Sequence, residues 1–137
     1  MILKGIYNIL SNFSELTAFV GTKIYPIRTP QATALPYLIT AVNTVEPSDT
    51  KDGFSRLDTY FFTVVVYADY FSSEGTNNIE SIYNAVRRAL DRKASGSYGG
   101  VLIQSIQYQS HNDSYDESSK VFIREILFKG RLIKAIT

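Results

Sequence analysis

Apolar residues recur at three- and four-residue intervals from the start of the chain. Ile2, Leu3, Ile6, Ile9, Leu10 and Phe13 form one stripe, which predicts a helix over roughly residues 2–12. Ser14 stands where an N-cap would open a short helical turn, Glu15–Val20, and Gly21 where a glycine would close it. Residues 22–36 follow neither period, and Pro26, Pro30 and Pro36 interrupt any regular ladder. From Tyr37 to Val45 the residues turn β-branched and aromatic, which predicts a first strand. Glu46–Ser55 is polar, with Asp52-Gly53 as its strongest turn signal. Leu57–Asp69 is a second strand with two apolar faces: Tyr60, Phe62, Val64, Val66 and Ala68 on one, Leu57, Phe61, Val65 and Tyr67 on the other. A strand of this kind needs a cover on both sides. One cover is a helix of the chain itself. A neighbouring subunit is the candidate for the other, since the pattern offers no second layer.

The polar stretch Phe71–Asn78 follows, and Asn77 with Glu80 has the spacing of a capping box. Ile79, Ile82, Tyr83, Val86, Ala89 and Leu90 then mark the clearest helix in the chain. Its opposite face carries Asn84, Arg87, Arg88 and Asp91. Arg87, Arg88, Arg92 and Lys93 gather at its C-terminal half, where cations complement the helix dipole. Ala94–Gly100 ends the helix. Val101–Tyr108 is a third strand, Gln109–Ser119 a polar loop, and Lys120–Ile133 a long fourth strand in which Gly130 marks a bulge. The order α–β–β–α–β–β predicts one α+β domain over residues 1–137: a mostly antiparallel, four-stranded sheet with helices packed on one face.

Composition narrows the chemistry. The 137 residues contain no cysteine and one histidine, which excludes disulfides, thiolate metal sites, cysteine nucleophiles and multi-histidine zinc sites within one chain. A net charge of +1 argues neither for nor against a polyanionic partner. The longest apolar run, Tyr60–Ala68, is about half what a helix needs to cross a bilayer, and no basic segment precedes the first apolar residues. The default expectation is therefore a soluble intracellular protein with no membrane partner.

Each candidate site has a plainer explanation. A catalytic triad would have to use His111, yet no G-x-S-x-G elbow accompanies it, and a solvated loop histidine suffices. Asp113, Asp116 and Glu117, like Asp49 and Asp52, lack the alternation of a calcium loop and read as surface acids. The glycines of Gly96–Gly100 follow a helix and precede a strand, the reverse of a phosphate cradle. Tyrosine and phenylalanine on strands can stack bases, but the cations are nearly balanced by acids and no R-G-F-V-x-F-like run occurs. No catalytic residue, metal or cofactor is expected. A binding or structural role remains, with a nucleic-acid-binding α+β module as the alternative from another class.

Three segments carry a resemblance: G-T-K-I-Y-P (Gly21–Pro26), P-Q-A-T-A-L-P-Y-L-I-T (Pro30–Thr40), and T-Y-F-F-T-V-V-V-Y-A-D followed by I-Y-N-A-V-R-R-A-L (Thr59–Asp69, Ile79–Leu90). In this order they resemble the tail-terminator, or tail-completion, proteins of long non-contractile-tailed phages and prophages. The resemblance implies a structural protein of the virion, built in the host cytoplasm and placed at the tail–neck junction. It implies a homo-oligomeric ring, usually a hexamer, that caps the tail tube, stops its polymerisation and meets the head-completion or neck protein. Nucleic acid enters only as DNA passing through the lumen. Another minor tail or neck protein is the neighbouring alternative. On this reading Asp49, Lys51, Asp52, Arg56, His111, Asp113, Asp116 and Glu117 are candidate contacts to tube and neck. Phe61, Val65, Tyr67, Arg87, Arg88 and Arg92 are candidate intersubunit residues. The acidic Gln109–Ser119 loop is longer than the family pattern.

Overall fold

The computed structural model describes residues 2–27, 34–47, 57–68 and 79–133. Two helices come first, α1 (Ile2–Ser11) and α2 (Ser14–Val20), then strands β1 (Ile24–Pro26), β2 (Tyr37–Pro47) and β3 (Leu57–Ala68). Helix α3 (Ile79–Leu90) leads into β4 (Gly96–Tyr98), β5 (Val101–Asp116) and β6 (Val121–Ile133). The strands form one six-stranded mixed sheet in the order β1-β2-β3-β6-β5-β4. The class is α+β as expected, but the sheet has six strands rather than four, and β1 runs parallel to β2. The two extra strands are three residues long, too short to display a period. Ile24, 3% exposed, anchors β1. Pro26 ends that edge strand, where its missing donor is tolerated.

Helix α1 uses the expected stripe: Ile2, Leu3, Ile6, Ile9 and Leu10 are all buried. Helix α2 starts at Ser14, with Phe13 rather than Ser14 in the cap position and no side-chain cap bond. Gly21, at φ +61°, closes it, and its N–H donates to the Thr17 carbonyl at 2.8 Å. Helix α3 spans the expected residues and buries Ile79, Ile82, Tyr83, Val86, Ala89 and Leu90. The proposed cap residue Asn77 and the turn Asp52-Gly53 lie outside the described residues.

The core fills the space between the helices and one sheet face. Phe62, Val64, Val66 and Ala68 from β3, Leu38 from β2, Ile106 from β5, and Ile126 and Phe128 from β6 are fully buried there. The rings of Phe62 and Phe128 stack with centroids 5.5 Å apart.

Gly130 is not a bulge. The ladder runs through it without a register shift on both sides, opposite Tyr60 and Ile106. Glycine fits there because a Cβ would lie 3.0 Å from the Ile2 methyl and 3.2 Å from the Phe62 ring. The bulges lie elsewhere, between Val42 and Thr44 on β2, and between Ile103 and Ser105 and between Tyr108 and Ser110 on β5. Gly99 and Gly100, both at positive φ, make the two-residue turn joining β4 to β5.

The expected loop Gln109–Ser119 is mostly strand. Serine, histidine, asparagine and aspartate disfavour strands on their own. Here they pair residue by residue with the strongly β-forming Val121–Leu127 of β6, and only residues 117–120 turn.

The crowding at Gly130 yields a stability prediction. Gly130→Val forces the side chain against Ile2 and Phe62, both fully buried, and is expected to cost about 1–3 kcal/mol in chemical denaturation. An unchanged denaturation midpoint would show that the α1–sheet packing is looser than described.

Candidate functional site

The bulge between Tyr108 and Ser110 decides where the hairpin's side chains go. Inserting one residue inverts the alternation of β5 beyond it. Tyr108 opposes Phe128, and past the bulge His111 opposes Ile126 and Asp113 opposes Arg124, so all three lie on the helix-covered face. Asp116, opposite Val121, falls on the other face. Glu117 lies in the exposed turn. The hairpin acids and the histidine, read together as one loop, are thus split between two surfaces.

Arg124 is the centre of the helix-side group. Its side chain is 8% exposed, and a buried charge needs partners. Asp113 supplies a bidentate pair: Arg124 Nε donates to Oδ1 at 2.7 Å and Nη2 to Oδ2 at 2.9 Å. Nη1 donates to Glu80 Oε2 on α3 at 2.8 Å, and the guanidinium lies 4.7 Å from the Tyr83 ring centre. The arginine therefore ties the β5–β6 hairpin to the first turn of α3. The bond from Arg124 holds the Asp113 carboxyl below its usual range, against the opposing effect of burial.

A second chain of polar contacts runs beside it. Arg87 Nη1 donates to Tyr83 Oη at 3.2 Å, and Tyr83 Oη donates to Tyr108 Oη at 3.1 Å. Tyr108 Oη lies 2.6 Å from His111 Nδ1. Burial first, then the Tyr83 bond, pushes the Tyr108 phenol up to about 12, so at neutral pH it is uncharged and a poor nucleophile. Arg87 stacks over the Tyr108 ring at 3.9 Å. Arg88 pairs with Glu15 of α2, Nη2 to Oε2 at 2.6 Å. The Arg92 backbone N–H donates to the Ile106 carbonyl at 2.8 Å, and Asp91 accepts the Tyr108 N–H at 3.0 Å. The basic end of α3 is thus engaged with its own subunit, fastening the helix to the outer edge of β5. Among the described residues no group of three or more histidine, aspartate or glutamate side chains is arranged to hold a metal.

The other candidate is the second face of the sheet, which nothing covers among the described residues. Phe61, Val65 and Tyr67 of β3 lie there with Tyr37 and Ile39 of β2 and Ile123 and Leu127 of β6, all half-buried. Tyr37 and Tyr67 stack with centroids 4.7 Å apart. All three helices pack on the opposite side. Asp49, Lys51, Asp52 and Arg56 lie outside the described residues.

The fold and these surfaces can be set against known proteins. Residues 4–129 match the family model described as "Tail completion protein gp17". The chain belongs to this tail completion family. As a tail completion protein it is a structural component of phage-type tails. No curated protein matches it. Among solved structures, a chain of the virion of a native gene transfer agent particle is similar at TM-score 0.70 and 19% identity, over 93% of this chain and 91% of that one. A second solved structure aligns at TM-score 0.60 and 16% identity, over 99% of this chain and 95% of that one. At such identities the likeness is one of fold. For a tail completion protein the relevant chemistry is that of contact surfaces, and the uncovered sheet face is the apolar one.

Sequence reasoning missed Arg124, Tyr83, Tyr108 and Glu80. Arg124 did leave a signal: it shares strand parity with Phe122, Ile126 and Phe128, so a charge stands in an inward-facing row and demands a partner. The bulge that delivers Asp113 to it leaves none.

The Arg124 clamp predicts a pH dependence. The folded-state pKa of Asp113 lies below the unfolded value, so its stabilisation is complete above about pH 4–5 and is lost as pH falls through the folded value. Asp113→Asn is expected to cost about 1–3 kcal/mol at pH 7 and to flatten the stability decline below about pH 4. Denaturation of both proteins across pH 2–7, about the carboxylate range, reads this directly. Parallel curves would contradict the clamp.

Proposed function

We propose that this chain assembles with copies of itself into a ring, six-membered by the resemblance, on the end of a tail tube. The ring stops tube polymerisation and offers the tail's surface for head joining. The observation that carries the reading is the uncovered sheet face. A two-layer domain whose sheet keeps Phe61, Val65, Tyr67, Tyr37 and Leu127 without a third layer among the described residues holds apolar surface suited to another subunit. Contact between different patches of successive copies closes into a ring when the rotation closes. Membership in the tail completion family supports the tail as the place of assembly.

Within that reading the turn at residues 117–120 and the 48–56 segment are the candidate contacts to tube and neck. Glu117 belongs to the first, with Asp116 at the strand end that leads into it, and Asp49, Lys51, Asp52 and Arg56 to the second. Charged side chains at such contacts serve register and encounter rate more than affinity. Arg87, Arg88 and Arg92 remain candidates for contact with an adjacent subunit. Arg87 and Arg88 keep side-chain exposures of 45% and 56% while engaged in their own chain.

The test is capping. Purified tail tubes incubated with the protein are expected to stop elongating, with one added density at one end in electron micrographs. Val65→Lys places a charge in the uncovered face and is expected to weaken ring formation at least about tenfold while leaving the fold intact by circular dichroism. Tubes that elongate regardless, or a Val65→Lys protein that caps normally, would overturn the reading.

A further inference from the structure

The uncovered face is electrically polarised along its strands. At one end, Tyr37, Tyr67, Ile123 and Asp116 line a cleft of about 360 Å³. Asp116 is fixed there by the turn, its Oδ1 accepting the Ser118 N–H at 3.1 Å and the Ser118 hydroxyl at 2.7 Å. These bonds and those from Ser119 hold its carboxyl below the usual range, so it stays charged. Glu125, on the same face, acts on Tyr67 closely enough to help raise that phenol's pKa, after burial and Tyr37. Stacked aromatic rings beside carboxylates make a site for an ammonium or guanidinium group.

At the other end, Lys129 and Arg131 of β6 and Ser105 and Gln107 of β5 line a polar cleft of about 260 Å³. Glu46 stands two strands away on β2. Among the described residues neither Lys129, Arg131, Asp116 nor Glu125 has an ion-pair partner. Asp116 opposes Val121, and Val121 to Lys129 is a run of β6 of roughly 25 Å at the usual rise. Asp116 therefore cannot reach Lys129 within one chain.

We infer that the occupant of the acidic, aromatic cleft is a second copy of this chain, which inserts Lys129 and Arg131 between Asp116, Glu125 and the Tyr37–Tyr67 pair. The inference rests on the ring reading and deepens it by naming the contact. Each contact uses the basic end of one copy and the acidic end of the next, leaving each copy its other end for a second neighbour, and such a heterologous contact is the kind that closes into rings. Complementary charge fixes which end meets which.

Charge reversal tests this. One variant carries Asp116→Lys with Glu125→Lys, a second carries Lys129→Glu with Arg131→Glu, and a third carries all four. Self-association is read by light scattering over a concentration series at two salt concentrations, with circular dichroism checking the fold. Each half-reversal is expected to weaken association at least about tenfold, and the four-fold variant to recover it. Recovery separates the contact from mere misfolding. Half-reversals that associate like the wild type would overturn the contact and leave a ring built through another surface. If the wild type scatters as a monomer, carbodiimide treatment of the protein bound to tail tubes, followed by peptide mass spectrometry, decides: an Asp116–Lys129 bond can form only between chains, and its absence overturns the proposal. The ring reading fails separately, on a wild-type protein that does not cap tubes.

Discussion

Three helices cover one face of the sheet, and among the described residues nothing covers the other. This asymmetry organises the molecule. It places the fully buried row of β3, Phe62 to Ala68, under the helices, and leaves the alternate row, Phe61 to Tyr67, half-buried. An isolated domain gains nothing from apolar side chains on a solvent face, whereas a subunit does. On that face Asp116, Glu125, Lys129 and Arg131 have no ion-pair partner among the described residues.

The helix side has its own constraint. Arg124 lies almost out of water and is held by two carboxylates and an aromatic ring from two elements. One guanidinium fixes the hairpin to α3, and the turns around Arg92 and Asp91 fix the other end of α3 to β5. With both ends of the helix tied to the longest hairpin, the open face behind that hairpin keeps a defined shape. A surface proposed to meet a copy of itself gains from such rigidity, because every side chain ordered on contact costs binding free energy.

Much of this was legible in the residues, for identifiable reasons. The 3.6-residue stripes of α1 and α3 are long and clean, and both appear where the period puts them. The two apolar faces of β3 foretold a strand covered by its own helices and still apolar behind. The short strands β1 and β4 escaped notice because three residues carry no period. The hairpin was hidden for another reason. Its strand from Ser110 to Asp116 is rich in serine, asparagine and aspartate, which prefer turns, and it is held extended by its partner strand and by Arg124. The single inserted residue between Tyr108 and Ser110 reverses parity without any mark in the sequence. It decides which face receives Asp113, and plain alternation then puts Asp116, three residues on, on the opposite face although a linear reading groups the two.

The central claim is that the uncovered sheet face is closed by another subunit in the assembled tail. Hydroxyl-radical footprinting of the dilute protein and of the protein bound to tail tubes measures it most directly, because aromatic side chains are strong reporters. Oxidation of Tyr37, Phe61 and Tyr67 is expected to fall several-fold on assembly, while that of Tyr7, 45% exposed on the helix side, changes little. Unchanged oxidation of the three sheet-face rings in capped tubes would contradict it.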